Sequence, residues 1–295
     1  IIMSEFLHDA IVDEFGKREI ARTIVPSSIS DNLKKGFAER AYQQEAFKRF
    51  LLFYTEDFDA KQNKPYHLLF NMATGSGKTL VMAGIMLYLY EKGYRNFLFF
   101  VNSIKIVSKT KENFLNISSN KYLFDDKIMI GGKEVLIKDV DNFESTDTDN
   151  INLKFTTIQK LHSDLIENPK ENSITMEDFK NQKTVLFADE MHHLNASTSS
   201  QTSLDRTWEG TSQEILDQNI DNILLGFTAT IDTNNTNVVS KYKDKSLFKY
   251  DLKQFRLDKY SKEINLIRSD FDVEGRILQS LLLNTYRQVL ATTKH

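Results

Sequence analysis

His67-Leu68-Leu69-Phe70-Asn71-Met72-Ala73-Thr74-Gly75-Ser76-Gly77-Lys78-Thr79 is the stretch that decides the fold. An apolar run enters a glycine-rich turn. Leu80 to Tyr90 then continues as an apolar, proline-free segment with Leu80, Ala83, Leu87 and Tyr90 spaced along one helical face. Strand, loop and helix N-terminus in that order make a phosphate-binding loop. Glycines let the backbone wrap an anion without Cβ interference, a lysine reaches the β- and γ-phosphates, and a hydroxyl takes Mg²⁺. Gly75, Gly77, Lys78 and Thr79 supply these parts, and Thr74 and Ser76 complete the cradle. Met72 stands where the full signature has its first glycine.

A second block complements it. Thr184-Val185-Leu186-Phe187-Ala188 reads as a strand buried on both faces, and it ends in Asp189-Glu190-Met191-His192-His193. Ligands of parallel sheets bind beyond the strand carboxyl ends. One carboxylate there can hold Mg²⁺ and the other can orient and deprotonate water, so Asp189 is assigned to the metal and Glu190 to the water. A histidine pair also suits zinc, but the chain has no cysteine and its other histidines are scattered.

The 295 residues, with 40% hydrophobic and 27% charged side chains, allow one large or two small domains with a substantial core. No apolar run reaches the roughly 18 residues of a membrane span. The opening Ile1-Ile2-Met3-Ser4-Glu5-Phe6 has no signal-peptide pattern, so a cytoplasmic protein without membrane contact is expected. The formal net charge of −3 argues against coating nucleic acid by charge alone. Between Lys241 and Lys262, however, eight bases face three acids, with Tyr242, Phe248, Tyr250, Phe255 and Tyr260 interleaved. This mixture suits backbone contacts with base stacking; it equally suits a solvated basic surface whose aromatics lie in the core.

Residues 1–61 read as helical, with Ile11, Phe15 and Ile20, then Ala46, Phe47, Phe50 and Leu51, at helical steps broken near Pro26. From 62 to 235 the apolar runs Leu68–Asn71, Phe97–Val101, Ile128–Ile130, Phe155–Ile158, Val185–Ala188 and Ile223–Phe227 alternate with helical stretches. That alternation predicts an α/β fold, a largely parallel sheet with helices on both faces. Asp139–Asn152 and Asn195–Thr207 are polar and are expected to be exposed, mobile excursions. Ile277–Ala291 resumes a helical pattern through Leu278, Leu281, Leu282, Tyr286, Val289 and Leu290.

With the phosphate loop and Asp189-Glu190-Met191-His192 in place, the chain resembles the superfamily 2 DEAD/DEAH-box helicases, most of all the Res motor subunit of type III restriction enzymes. Arg40-Ala41-Tyr42-Gln43 is similar to that family's Arg-Pro-Tyr-Gln block, with Ala41 in place of proline. The resemblance implies that Gln43, with Arg40 nearby, reads the adenine edge, for which an amide has both donor and acceptor. Thr228-Ala229-Thr230 resembles the motif that couples nucleotide state to nucleic-acid grip; Thr228 and Thr230 would hydrogen-bond the carboxylate motif, with His192 joining them. Asn102 and Ser103, and Thr156, Thr157 and Gln159, stand where the family keeps contacts to the phosphodiester backbone.

The resemblance further implies a RecA-like domain at 62–235 preceded by the helical segment 1–61. It makes 236–295, including Tyr250–Ile264, a connector toward a second RecA-like domain beyond His295. That domain would bring an arginine finger, so this piece is expected to bind ATP weakly and turn it over poorly with Mg²⁺ alone. The implied activity is ATP-driven movement on double-stranded DNA in restriction or phage defence, with a methyltransferase subunit as possible partner. An RNA-directed helicase and a nucleotide-dependent scaffold module with little turnover stay open. A small-molecule kinase shares the loop but does not account for the other blocks.

Overall fold

Apolar runs with no polar alternation belong between two layers of helix, and the strands here are placed so. The computed structural model describes residues 6–36, 40–101, 103–145, 147–167, 172–189, 203–231, 235–261 and 270–292. Its strands are β1 (Tyr66–Met72), β2 (Asn96–Val101), β3 (Ile128–Ile130), β4 (Lys133–Val135), β5 (Ile137–Asp139), β6 (Ile151–Thr157), β7 (Thr184–Asp189), β8 (Ile223–Thr228) and β9 (Ser246–Tyr250). Seven form one sheet in the order β5-β6-β2-β7-β8-β1-β9, with every pairing parallel.

Alternate residues of each strand feed two separate cores. Leu68, Phe70, Phe97, Phe99, Val185, Phe187 and Leu225 join one cluster, while Leu69, Leu98, Leu186 and Leu224 join the other. Helices α1 (Leu7–Arg22), α2 (Ser27–Ser30), α3 (Ala41–Thr55), α4 (Lys78–Glu91) and α5 (Ile104–Leu115) contribute to the first face. The second is covered by α6 (Ile158–His162), α7 (Met176–Asn181), α8 (Ser203–Asp217) and α9 (Thr236–Tyr242).

Several elements depart from expectation, each for a local reason. Ile128–Ile130 is not in the parallel sheet; β3 pairs antiparallel with β4 as a separate hairpin. Gly131 and Gly132, with φ of 60° and 79°, make the two-residue turn that returns the chain. The face expected on α4 is absent, because Leu80 through Tyr90 are all buried. The N-terminal helices cover its outer side: a Cβ on Gly84 would lie 2.5 Å from the Phe47 ring and 3.1 Å from Ile29. Asp139–Asn152 is not a free excursion, since its ends lie in β5 and β6 and Phe143 is buried. Asp147 accepts from Asn150 Nδ2 at 3.0 Å and pairs with Lys138, which ties the loop. Of Asn195–Thr207, residues 203–207 belong to α8 and 195–202 lie outside the described residues.

The basic stretch conceals structure too. Its first half is α9 and β9, and β9 extends the sheet beside β1, past the boundary expected at 235. A short helix, α10 (Leu252–Leu257), follows. Tyr242, Phe248, Tyr250 and Phe255 are buried, which removes them as base-stacking surfaces; Tyr260 alone of the five is exposed. The chain divides into compact units at 1–258 and 259–295. The second unit carries α11 (Val273–Thr292), on which Leu278, Leu281, Leu282, Tyr286, Val289 and Leu290 are exposed. Among the described residues no helix is long and apolar enough to cross a membrane.

Candidate nucleotide-binding site

An all-parallel sheet brings its strand carboxyl ends to one edge, and the sequence motifs lie along it. The glycine-rich loop leaves β1, Asp189 ends β7, and β8, ending in Thr228, runs between them. Thr74, Gly75, Gly77, Lys78, Thr79 and Asp189 line one cleft of about 780 Å³, to which Arg40 and Gln43 also contribute. Gly75 and Gly77 hold φ of 80° and 87°, in the left-handed region that favours glycine. At Gly77 a side chain meets two obstacles, since a Cβ would also displace Gln43 Nε2. Lys78 opens α4, and its Nζ lies 3.5 Å from the Met72 carbonyl at the end of the strand.

The Arg40–Gln43 block packs behind the loop. Tyr42 Oη and Gln43 Nε2 each donate to the Ser76 carbonyl at 2.9 Å, and Arg40 donates to Tyr42 Oη at 2.9 Å. Gln43 is 3% exposed, one of its two amide N–H donors goes to the loop, and its Oε1 has no hydrogen-bond partner among the described residues. In this geometry Gln43 supports the phosphate loop, which the adenine reading did not foresee. Ser76 is fully buried, so its contribution is main-chain.

Other expected contacts are placed differently. Thr228 is buried and its hydroxyl donates to Thr230 O at 2.9 Å while accepting from Thr230 N at 3.3 Å. Its single proton is therefore spent on its own turn and, among the described residues, reaches no carboxylate; Thr230 is exposed. Thr156 is 3% exposed because β6 is covered on both faces, and its hydroxyl donates to Thr157 O at 3.2 Å, so it is not presented to a phosphodiester. Thr157 caps α6 by accepting from Lys160 N at 3.2 Å. Ser103, at the N-cap of α5, is half-buried, and Gln159 is exposed. Glu190, His192 and Asn102 lie outside the described residues.

Sequence reading missed the far wall of the cleft. Lys109 and Asn113 on α5, and Asn120 and Lys121 in the loop after it, face the same space. No local motif announces them, because they reach the cleft through tertiary packing. The Leu33–Phe124 bridge and the Lys34 N to Leu123 O bond of 2.9 Å join that loop to the N-terminal segment.

The residues present fit a magnesium-bound nucleoside triphosphate. Two left-handed glycines make the cradle, a lysine and a threonine follow, and an aspartate lines the same cleft. A strand-end phosphate loop and a strand-end aspartate on one parallel sheet define a RecA-like P-loop domain. Residues 36–233 match the family model described as type III restriction enzyme, res subunit, and the chain belongs to that family. It is 41% identical over 293 positions to a probable type III restriction-modification enzyme HindVIP Res subunit of Haemophilus influenzae, covering 90% of this chain and 56% of that protein. The chain thus spans little more than half the length of that relative.

Among solved structures, the UvsW helicase of bacteriophage T4 aligns at 16% identity and a TM-score of 0.43, over 81% of this chain and 68% of that one. The Hef helicase domain of Pyrococcus furiosus aligns at 17% identity and 0.42, over 82% and 46%.

Proposed function

We propose that this chain is the ATP-hydrolysing motor domain of a Res-like subunit that moves on double-stranded DNA in a restriction system. The observation that carries the reading is the shared cleft of Gly75, Gly77, Lys78, Thr79 and Asp189. Lys78 and the loop amides hold the phosphates, Thr79 and Asp189 hold Mg²⁺, and Glu190 orients and deprotonates water. Bound magnesium supplies neutralisation of the charge that builds on the phosphoryl oxygens. An arginine finger from a second RecA-like domain, worth about 10³ to 10⁵ in rate, would complete the site in the longer protein. Ser103, Thr157 and Gln159 sit on the carboxyl edge of the sheet and are the residues we assign to the DNA backbone. Nucleic acid as partner draws support from family membership; a methyltransferase subunit and a cytoplasmic location complete the proposal.

The test is ATP turnover of the full-length protein with duplex DNA, single-stranded DNA and RNA in parallel. Duplex DNA should stimulate most, and stimulation by RNA alone would reject the substrate. Glu190→Gln should abolish turnover while leaving ATP binding; a rate equal to the parent would instead favour a nucleotide-dependent scaffold.

A further inference from the structure

We propose that Tyr250, at the end of the last strand of the sheet, is a positioning residue for the phosphate loop, acting through Tyr42. The inference rests on the nucleotide reading of the cleft and extends it to a segment that lies past the motor-domain boundary expected from sequence.

A trans peptide is planar, so its carbonyl and its N–H point in opposite directions. The Ser76 carbonyl is drawn toward α3 by Tyr42 Oη and Gln43 Nε2, each at 2.9 Å. The Gly77 N–H is thereby turned away from α3, and Gly77 lines the cleft. An anion-binding loop needs its amides, not its carbonyls, turned inward. Tyr42 and Gln43 thus set the polarity of this peptide.

Tyr42 is in turn held by Tyr250. Their rings stack at 4.0 Å with an interplanar angle of 12°, and Phe255 closes on both edge-on at 6.1 and 6.0 Å. Tyr250 is itself fixed: its hydroxyl donates to Asp258 Oδ2 at 2.6 Å, and Gln254 Nε2 donates to Asp258 Oδ1 at 2.8 Å. Its carbonyl accepts from Ala73 N at 2.9 Å. Tyr250 therefore grips both ends of the segment 73–76, directly at Ala73 and through the Tyr42 ring at Ser76. Any strand residue supplies the first grip; only an aromatic ring supplies the second.

The experiment is ATP titration of the intact protein, with thermal unfolding measured on each variant. Lys78→Ala serves as the reference for the site: if the parent binds no ATP, or Lys78→Ala binds equally well, the nucleotide reading fails before this inference is reached. Given that reference, Tyr250→Leu should weaken ATP binding roughly two- to twelvefold, the range of a lost aromatic pair. Tyr250→Phe keeps the stack and should restore affinity to within about twofold. Tyr42→Phe, which keeps the stack but removes the hydroxyl from Ser76 O, should lose affinity, and Tyr250→Leu added to it should cost less than the two separately. Val238→Ala, a core truncation on the opposite face of the sheet, should lower the unfolding temperature and leave affinity unchanged. Unaltered affinity in Tyr250→Leu, or in Tyr42→Phe should the former not fold, would overturn the proposal.

Discussion

Alanine in place of either loop glycine separates backbone strain from steric collision, because Gly75 and Gly77 share a left-handed φ but not their surroundings. At Gly75 a Cβ meets nothing within 4 Å, so Gly75→Ala costs only the left-handed conformation, about 1–2 kcal/mol. Gly77→Ala carries the same strain and also pushes Gln43 Nε2 off the Ser76 carbonyl. That bond adds about 0.5–1.5 kcal/mol, for a total near 1.5–3.5 kcal/mol. Should the loop relax out of its cradle, the cost appears in ATP affinity, roughly 5- to 30-fold for Gly75→Ala and roughly 12- to 370-fold for Gly77→Ala. Should the loop hold its shape, the same cost appears as lost folding stability instead. Fluorescent-nucleotide titration and urea unfolding on both variants therefore have to be summed. Equal totals for the two alanines, or a Gly77→Ala protein indistinguishable from the parent in both assays, would refute the geometry described for Gln43.

Three further outcomes are expected. His67 has both ring nitrogens buried without a partner among the described residues, and burial, helped by Lys245 and Lys241, pulls its pKa down to about 3. With an unfolded value near 6.5, the unfolded chain binds the extra proton between these pH values, so stability falls as pH drops through that window, by ~1.4 kcal/mol at pH 5.5. His67→Leu should flatten that part of the urea-midpoint profile, and an unchanged slope would count against it. Gly84→Ala should destabilise by about 1–3 kcal/mol, although alanine is the better helix former by ~1 kcal/mol, because the added methyl overpacks against Phe47 and Ile29; a raised melting temperature would contradict this. A chain ending at residue 258 should fold and bind ATP like the parent, whereas one ending at 235 loses β9 and should fail to give a cooperative transition; cooperative melting of the shorter piece would show that β9 is dispensable.

The part of the site that was legible is the part written in contiguous residues. Asn71 to Thr79 has to turn, wrap and begin a helix within nine positions, and Thr184 to Asp189 has to be a buried strand with an acidic end; each constraint is local, so spacing exposes it. Ile128–Ile130 misled because a three-residue apolar run has no period of its own, and the Gly131-Gly132 turn after it was the more informative signal. Ser246–Tyr250 was read as part of a basic run because Lys241, Lys243, Lys245, Lys249 and Lys253 crowd the sequence around and within it, while its burial depends on β1 lying alongside. The burial of Thr156 follows from β6 being covered on both faces, and the use of the Thr228 hydroxyl in its own turn from turn geometry, neither of which motif matching weighs.

By itself the sequence determined that a phosphate loop exists, which strand carries it, and that an aspartate ends another strand; short-range sterics and periodicity dictate these through neighbours in the chain. Only the tertiary structure decided that β8 lies between those strands, that Lys109 and Lys121 face the same cleft, and that Tyr250 stacks on Tyr42. These are meetings of residues far apart in sequence, created when the sheet orders its strands and the helices pack upon it, and no local pattern in the chain records them.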